Sequence, residues 1–330
     1  MQHKRLGRTG LKVSRLCLGT MTFGNQCEET LSHEILDYAF ESGISFIDTA
    51  DIYPANGKPD LVGETENIIG RWIKHKREEI VLATKFWAPT GSKPWQGGSS
   101  RRNIKDSVDA SLRRLKTDYI DLYQVHFPDY ETPIEETLGA LDDLVRQGKI
   151  LYAGCSNYPS WLLALTIGES EKASSIRFDS VQPRYNLLFR QPERELLDLC
   201  NYSEIGVIPY NPLAGGFLTG KHKREAPDEG SRFTLEGGQG DRYLERYWSD
   251  QKHDVVDALK PLASEAGITL AHLAVGWVLA NPVITSPIIG ATKPSQLDDA
   301  INAVNFPLED DLLKTVDDLT IEFRMGDESR

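Results

Sequence analysis

Cysteine is scarce in this chain of 330 residues, and none of the four cysteines lies in a C-x-x-C pair. Cys17, Cys27, Cys155 and Cys200 are scattered, which excludes a disulfide framework and reads as a reduced chain. Long apolar runs are missing too. The opening MQHKRLGRTG lacks the apolar core of a signal peptide, and LAHLAVGWVLA at 270–280 is too short to span a bilayer. Basic charge is in deficit: the net charge of −12 argues against nucleic acid or an anionic membrane surface as partner. The expectation is a soluble, cytoplasmic protein acting on small molecules.

Several motifs are absent as well. No G-x-G-x-x-G occurs, which argues against a Rossmann dinucleotide fold. No Tyr is followed four residues later by Lys, and the histidines show no zinc spacing, so no metal is expected. LAGGFLTGK approaches a P-loop through Gly215, Gly220 and Lys221, but His222 stands where Ser or Thr would bind magnesium.

What is present is a rhythm. Eight short β-rich runs, RLCLGT (15–20), SFIDTA (45–50), IVLATKF (80–86), YIDLYQVH (119–126), LYAGCSN (151–157), SVQPRYN (180–186), GVIPYNP (206–212) and SPIIGA (286–291), alternate with helical patterns. Gly43 and Gly148 sit where helix C-caps belong. Eight βα units predict a closed (β/α)8 TIM barrel. KRLGRTGLKV predicts an N-terminal hairpin, and 218–250 reads as a long insertion loop. No linker divides the chain, so residues 1–330 are expected to form one domain.

Barrel active sites form at the C-terminal ends of the strands. There the sequence places Asp48, Lys85, His126, Ser156 with Asn157, Gln182 and Tyr210, one polar or aromatic group per strand. A phenol is a poor acid at neutral pH, but a nearby ammonium stabilises the phenolate and a carboxylate anchors the ammonium. Tyr53 beside Lys85, with Lys85 held by Asp48, is therefore expected to be a tuned proton donor. His126 supplies a second hydrogen bond to a carbonyl oxygen. Protonating a carbonyl helps only if a hydride arrives at its carbon, which implies a hydride cofactor. Ser156, Asn157 and Gln182 suit a carboxamide, Tyr210 suits stacking on a nicotinamide, and 211–221 with Lys221 suits a pyrophosphate. A glycosidase pair of Asp48 and Asp51 is disfavoured, because residues three apart on a strand face opposite sides. Asp51 is expected to cap the following turn.

These residues resemble the aldo-keto reductases over nearly the whole chain. The matching motifs are GTMTFG (19–24), DTADIY (48–53), ATK (83–85), VHFPD (125–129), GCSN (154–157), VQPRYN (181–186), YNPLAGGFLTGK (210–221) and IIGATKPSQLDD (288–299). The resemblance implies a barrel that binds NADPH/NADP+ and reduces aldehydes or ketones, with Asp48, Tyr53, Lys85 and His126 as catalytic tetrad. It implies Gly19, Thr20 and Met21 at the border of the cofactor. Asn211, Pro212, Leu213, Ala214 and Gly216, with Lys221, would wrap the pyrophosphate. Gly290, Thr292, Lys293, Gln296 and Asp299 would meet the adenosine end, Lys293 at the 2′-phosphate, with Arg232 as a clamp. Many relatives carry Glu-Asn where this chain has Asp299-Ala300, which removes one adenine contact. By position, Phe23, Trp87, Phe127 and Tyr130, together with Met21, Trp95 and residues of the 218–250 loop, are expected around the substrate. Potassium-channel β subunits resemble this chain too, which makes a cofactor-sensing binding module the rival to an enzyme.

Overall fold

The computed structural model describes residues 1–54, 58–236 and 238–327. Its strands are β1 (His3–Arg5), β2 (Lys12–Ser14), β3 (Cys17–Gly19), β4 (Phe46–Asp48), β5 (Val81–Phe86), β6 (Ile120–Val125), β7 (Ile150–Ser156), β8 (Phe178–Gln182), β9 (Gly206–Val207) and β10 (Ile288–Gly290). The helices are α1 (Glu29–Glu41), α2 (Glu64–Trp72), α3 (Arg101–Leu115), α4 (Ile134–Arg146), α5 (Ser160–Ala173) and α6 (Leu196–Tyr202). They continue with α7 (Gln239–Tyr247), α8 (Asp250–Glu265), α9 (Leu270–Ala280), α10 (Asp298–Asn305) and α11 (Asp310–Thr320).

Eight strands form one parallel sheet in the order β10-β3-β4-β5-β6-β7-β8-β9. The sheet curls until its edges meet. The Thr285 N–H donates to Val207 O (2.8 Å) and the Ile288 N–H to Pro209 O (2.8 Å), joining the last strand to the first. This is the expected (β/α)8 barrel. Gly43 and Gly148 follow α1 and α4 with φ of 83° and 72°, the left-handed region that glycine enters without a Cβ clash.

The period-two alternation of a strand sorts its residues between two environments. Leu18, Ile47, Leu82, Phe86, Val125 and Val181 face outward into the main core, under the helices. Cys17, Phe46, Ala83, Leu122, Ile208 and Ile288 face inward and close the lower barrel, with Leu6 and Val13 of the β1–β2 hairpin packed among them. Two residues further along the same inward rows come Gly19, Asp48, Lys85, Gln124, Tyr210 and Gly290. The register sets Gly19 opposite Asp48, Lys85 opposite Gln124 and Ser156 opposite Gln182. Below is an apolar plug, above it a polar layer.

The segment 218–250 is not the plain loop its glycines and charges suggest. It holds a short turn at Arg232–Thr234 and the nine-residue α7. Aromatic packing is the cause: Phe233 lies 5.1 Å from Trp248 and 6.0 Å from both Phe217 and Tyr243, ring centre to ring centre. A helix this short leaves only two turns of periodicity in the sequence. No single helix among the described residues is long and apolar enough to cross a membrane.

Gly70 shows how closely the helical layer packs. A β-carbon on it would lie 2.2 Å from Arg114 O and 2.8 Å from Leu115 Cα, at the end of α3. Alanine would favour an isolated helix by about 1 kcal/mol, yet here the two backbones would have to part. Gly70→Ala is expected to destabilise the protein by about 1–3 kcal/mol, seen as a lower urea midpoint at unchanged m. A midpoint at or above that of the parent chain would show that α2 moves aside without cost.

Candidate active site

Strand ends β3 to β10 surround a cavity of about 310 Å³ that is lined by Asp48, Tyr53, His126, Phe127, Ser156, Asn157, Gln182 and Tyr210, among others. At its floor Lys85 is wholly buried. Its Nζ donates to Asp48 Oδ2 (2.5 Å) and to Thr49 O (2.8 Å). The second Asp48 oxygen accepts from Gln124 Nε2 and Gln182 Nε2, both at 3.0 Å. Burial disfavours the Lys85 ammonium, but Asp48 and Tyr53 outweigh it and hold its pKa above the usual lysine value.

Tyr53 stands over this pair, with Lys85 Nζ 5.1 Å from its ring centre. The expected tuning is only half of what acts on the phenol. Lys85 pulls its pKa down, yet burial pushes harder, and the net direction is upward. The phenol is therefore a firmly protonated donor, with a cation beside it to receive the phenolate. His126 meets Tyr53 edge-on at 5.8 Å and stacks on Phe127 at 5.0 Å. Burial, helped by Lys85, holds its pKa well below the ordinary value, so the imidazole is neutral at pH 7 and offers a single N–H. Its buried Nδ1 has no partner among the described residues.

Beside the ring position, Tyr210 donates its hydroxyl proton to Asn157 Oδ1 (2.8 Å). Asn157 Nδ2 donates to His126 O and Ser156 Oγ, and Ser156 Oγ donates to Gln182 O. The trio expected to grip a carboxamide is thus also a bracket that joins four strand ends. Gly19, Thr20 and Met21 line the same cavity.

A second cavity, of about 210 Å³, adjoins the first through Asn211, Arg232, Ile288 and Gly290. Pro212, Leu213, Gly216, Lys221, Thr292, Gln296 and Asp299 line it. Buried Asn211 Nδ2 and Ser231 Oγ have no partner among the described residues. Lys221 and Arg232 form no ion pair or hydrogen bond there, although Arg232 lies over the Tyr243 ring. Orphaned donors and unpaired cations around a groove that opens onto the catalytic cavity fit a ligand with several phosphates. They fit the dinucleotide implied by the sequence.

Other expected residues lie elsewhere. Phe23 is fully buried in the main core and lines no cavity, because its backbone turns back onto Thr20 and points the ring inward. Tyr130 is 70% exposed and stacks on Trp161, outside the cavity. Trp95 is exposed beneath the guanidinium of Arg102. Trp87 does not reach the lining but packs on Phe127 at 5.3 Å, with its backbone at φ 130°. Ala214 is buried, and Lys293 is exposed outside the second cavity. Gln124 was missed by the sequence reading, although its parity with Leu122 and His126 along one strand marks it as inward-facing. The 218–250 segment does reach the pocket rim as its position suggests, through Gln239, Arg242, Tyr243 and Arg246, which α7 brings to the mouth.

This cavity, with a lysine–aspartate pair under a tyrosine and a neutral histidine at the strand ends, agrees with the sequence comparisons. The aldo/keto reductase family matches residues 15–321. The chain belongs to that family of oxidoreductases. It is 40% identical over 328 residues to the uncharacterized oxidoreductase YrpG of Bacillus subtilis, covering 97% of this chain and 96% of that protein. It is 38% identical to a probable voltage-gated potassium channel subunit beta of Arabidopsis thaliana, over 92% of each. With protein tas of Escherichia coli it shares 35% identity, over 96% of this chain and 97% of the other.

Asp51, in the same motif, does not cap its turn. It is buried, and neither carboxyl oxygen has a well-formed hydrogen bond among the described residues. Burial, with Glu66 nearby, pushes its pKa well above the carboxylate range. Glu66 itself is satisfied by Thr84 Oγ1 (2.6 Å) and Arg114 Nε (2.7 Å), so Asp51 is the member of the pair that keeps a proton. A raised folded-state pKa means stability that is complete below the unfolded value, about 4, and lost as pH rises toward the folded one. Asp51→Asn is therefore expected to stabilise the protein at pH 8 by about 1 kcal/mol or more, with little effect near pH 4. Urea midpoints against pH for both chains test this, and parallel curves would show that Asp51 is not protonated.

Proposed function

We propose that the protein reduces an aldehyde or ketone to the alcohol, reversibly, with NADPH. The buried Lys85–Asp48 pair beneath Tyr53 carries this reading, because its geometry serves a phenol that must give up a proton. Tyr210, Ser156, Asn157 and Gln182 would hold the nicotinamide end of the cofactor, which when bound would supply hydride to the carbonyl carbon. Tyr53 donates its proton to the carbonyl oxygen as the charge develops there. Lys85, fixed by Asp48 and the Thr49 carbonyl, stabilises the phenolate left behind. His126, neutral, donates an N–H to the same oxygen and so orients the carbonyl without competing for the proton. Phe127 and Met21 provide apolar walls. Lys221 and Arg232 would hold the phosphates, and Lys293, exposed next to Thr292 of the second cavity, would favour NADPH over NADH if its flexible side chain swings to the 2′-phosphate.

The similarity to a plant potassium channel β subunit supports a second reading, a module that binds the cofactor and reports its redox state. One experiment separates the two. NADPH oxidation against aldehydes and ketones is expected to proceed, and Tyr53→Phe is expected to lower kcat by roughly 10²- to 10⁴-fold while NADPH affinity stays within about twofold. Tight NADPH binding without turnover on any carbonyl favours the sensor, and retained turnover in the variant removes Tyr53 as the acid.

A further inference from the structure

Helix α7 has two faces. Gly240, Tyr243 and Tyr247 are buried and hold it to the barrel. A β-carbon on Gly240 would lie 2.7 Å from Leu235 O and 2.8 Å from Phe233 O, so the contact is close. Gln239, Arg242, Tyr243 and Arg246, spaced i, i+3, i+4 and i+7, line the catalytic cavity. Asp241 and Glu245 are exposed and line no cavity.

The guanidinium groups of Arg242 and Arg246 make no ion pair or hydrogen bond among the described residues. With 49 acidic against 37 basic side chains, this protein has acids to spare for pairing. Arg224, just upstream, takes both Asp254 and Asp257, and Arg184 takes Asp327. Other basic side chains, such as Arg113 and Arg194, are also unpaired among the described residues, but Arg242 and Arg246 are two that line the cavity beside Tyr53 and His126.

Their position also separates them from the cofactor. The phosphate-binding groove meets the catalytic cavity through Asn211, Arg232 and Gly290. A third cavity, of about 400 Å³, meets it through Asn157, Tyr210 and Arg246. Arg246 thus stands at the junction with this third cavity and takes no part in lining the phosphate groove.

Resting on the reductase reading, we propose that the carbonyl substrate carries an oxyanion, a carboxylate or a phosphate, which Arg242 and Arg246 hold while the carbonyl lies at Tyr53 and His126. A guanidinium fork matches either anion in a bidentate fashion; Arg246 is half-buried at the mouth and Arg242 is exposed beside it. The carbonyl itself needs no formal charge opposite it, so the arginines serve selection rather than the hydride step.

The test compares kcat/KM, with saturating NADPH, for 4-carboxybenzaldehyde over benzaldehyde and for 4-formylphenyl phosphate over 4-methoxybenzaldehyde. One or both ratios are expected to exceed one in the parent protein and to fall roughly ten- to a hundredfold in the double variant Arg242→Ala, Arg246→Ala. The ratio that falls further identifies carboxylate or phosphate as the preferred anion. If the double variant does not fold, Arg246→Gln is read in the same way. Parent ratios at or below one, or ratios that survive both substitutions, overturn the proposal while benzaldehyde turnover leaves the reductase reading standing. Turnover of neither the neutral nor the anionic aldehydes overturns both.

Discussion

The ion pair between Lys85 and Asp48 is the constraint around which the upper barrel is arranged. An ammonium with no solvent contact is tolerated only when its charge is matched and its protons are used. Asp48 supplies the charge, the Thr49 carbonyl a further acceptor, and Gln124 and Gln182 complete the carboxylate. Five groups from the β4, β5, β6 and β8 ends thus converge on one site, and loss of either ion would leave the other uncompensated at a cost of roughly 3–5 kcal/mol. The same pair fixes the electrostatics above it. A cation that cannot move stands next to Tyr53, and the same cation helps keep His126 neutral.

Burial does two opposed things to this site. It raises the Tyr53 pKa, which makes the phenol a worse acid at rest, and it strengthens the influence of Lys85 on whatever charge develops during reaction. On the reductase reading, such a site would favour the transition state over the ground state, which is where catalytic benefit lies. Behind the sheet, buried Asp51, whose pKa burial raises, extends the polar layer with Glu66 to the outer face of β5. It shows that carboxylates in one short motif can serve unlike ends.

Much of this was legible in the sequence. Eight apolar runs, each with a polar or aromatic residue at the same end, follow from the alternation of side chains on strands and from the placement of barrel active sites. Asp48, Tyr53, Lys85, His126, Ser156, Asn157, Gln182 and Tyr210 all line or underlie one cavity as that pattern implies. Phe23 and Tyr130 fell outside because their positions in loops carry no parity, and a loop side chain turns wherever its backbone bonds direct it. Gln124 was hidden by its own context: a glutamine within an apolar run reads as a defect until the partner it satisfies is seen.

The sequence by itself determined the order of elements, the inward row of each strand and the chemical types gathered at the barrel mouth, since these depend on spacing along one strand. Tertiary structure alone decided the sign of the balance on Tyr53, because desolvation depends on everything packed around the ring. It also decided the upward shift of the Asp51 pKa, which comes first from burial and then from Glu66 nearby, and the placing of Arg242 and Arg246 at the cavity. That placement comes with an aromatic anchor of Phe233, Tyr243, Tyr247 and Trp248, whose ring contacts no strand periodicity announces.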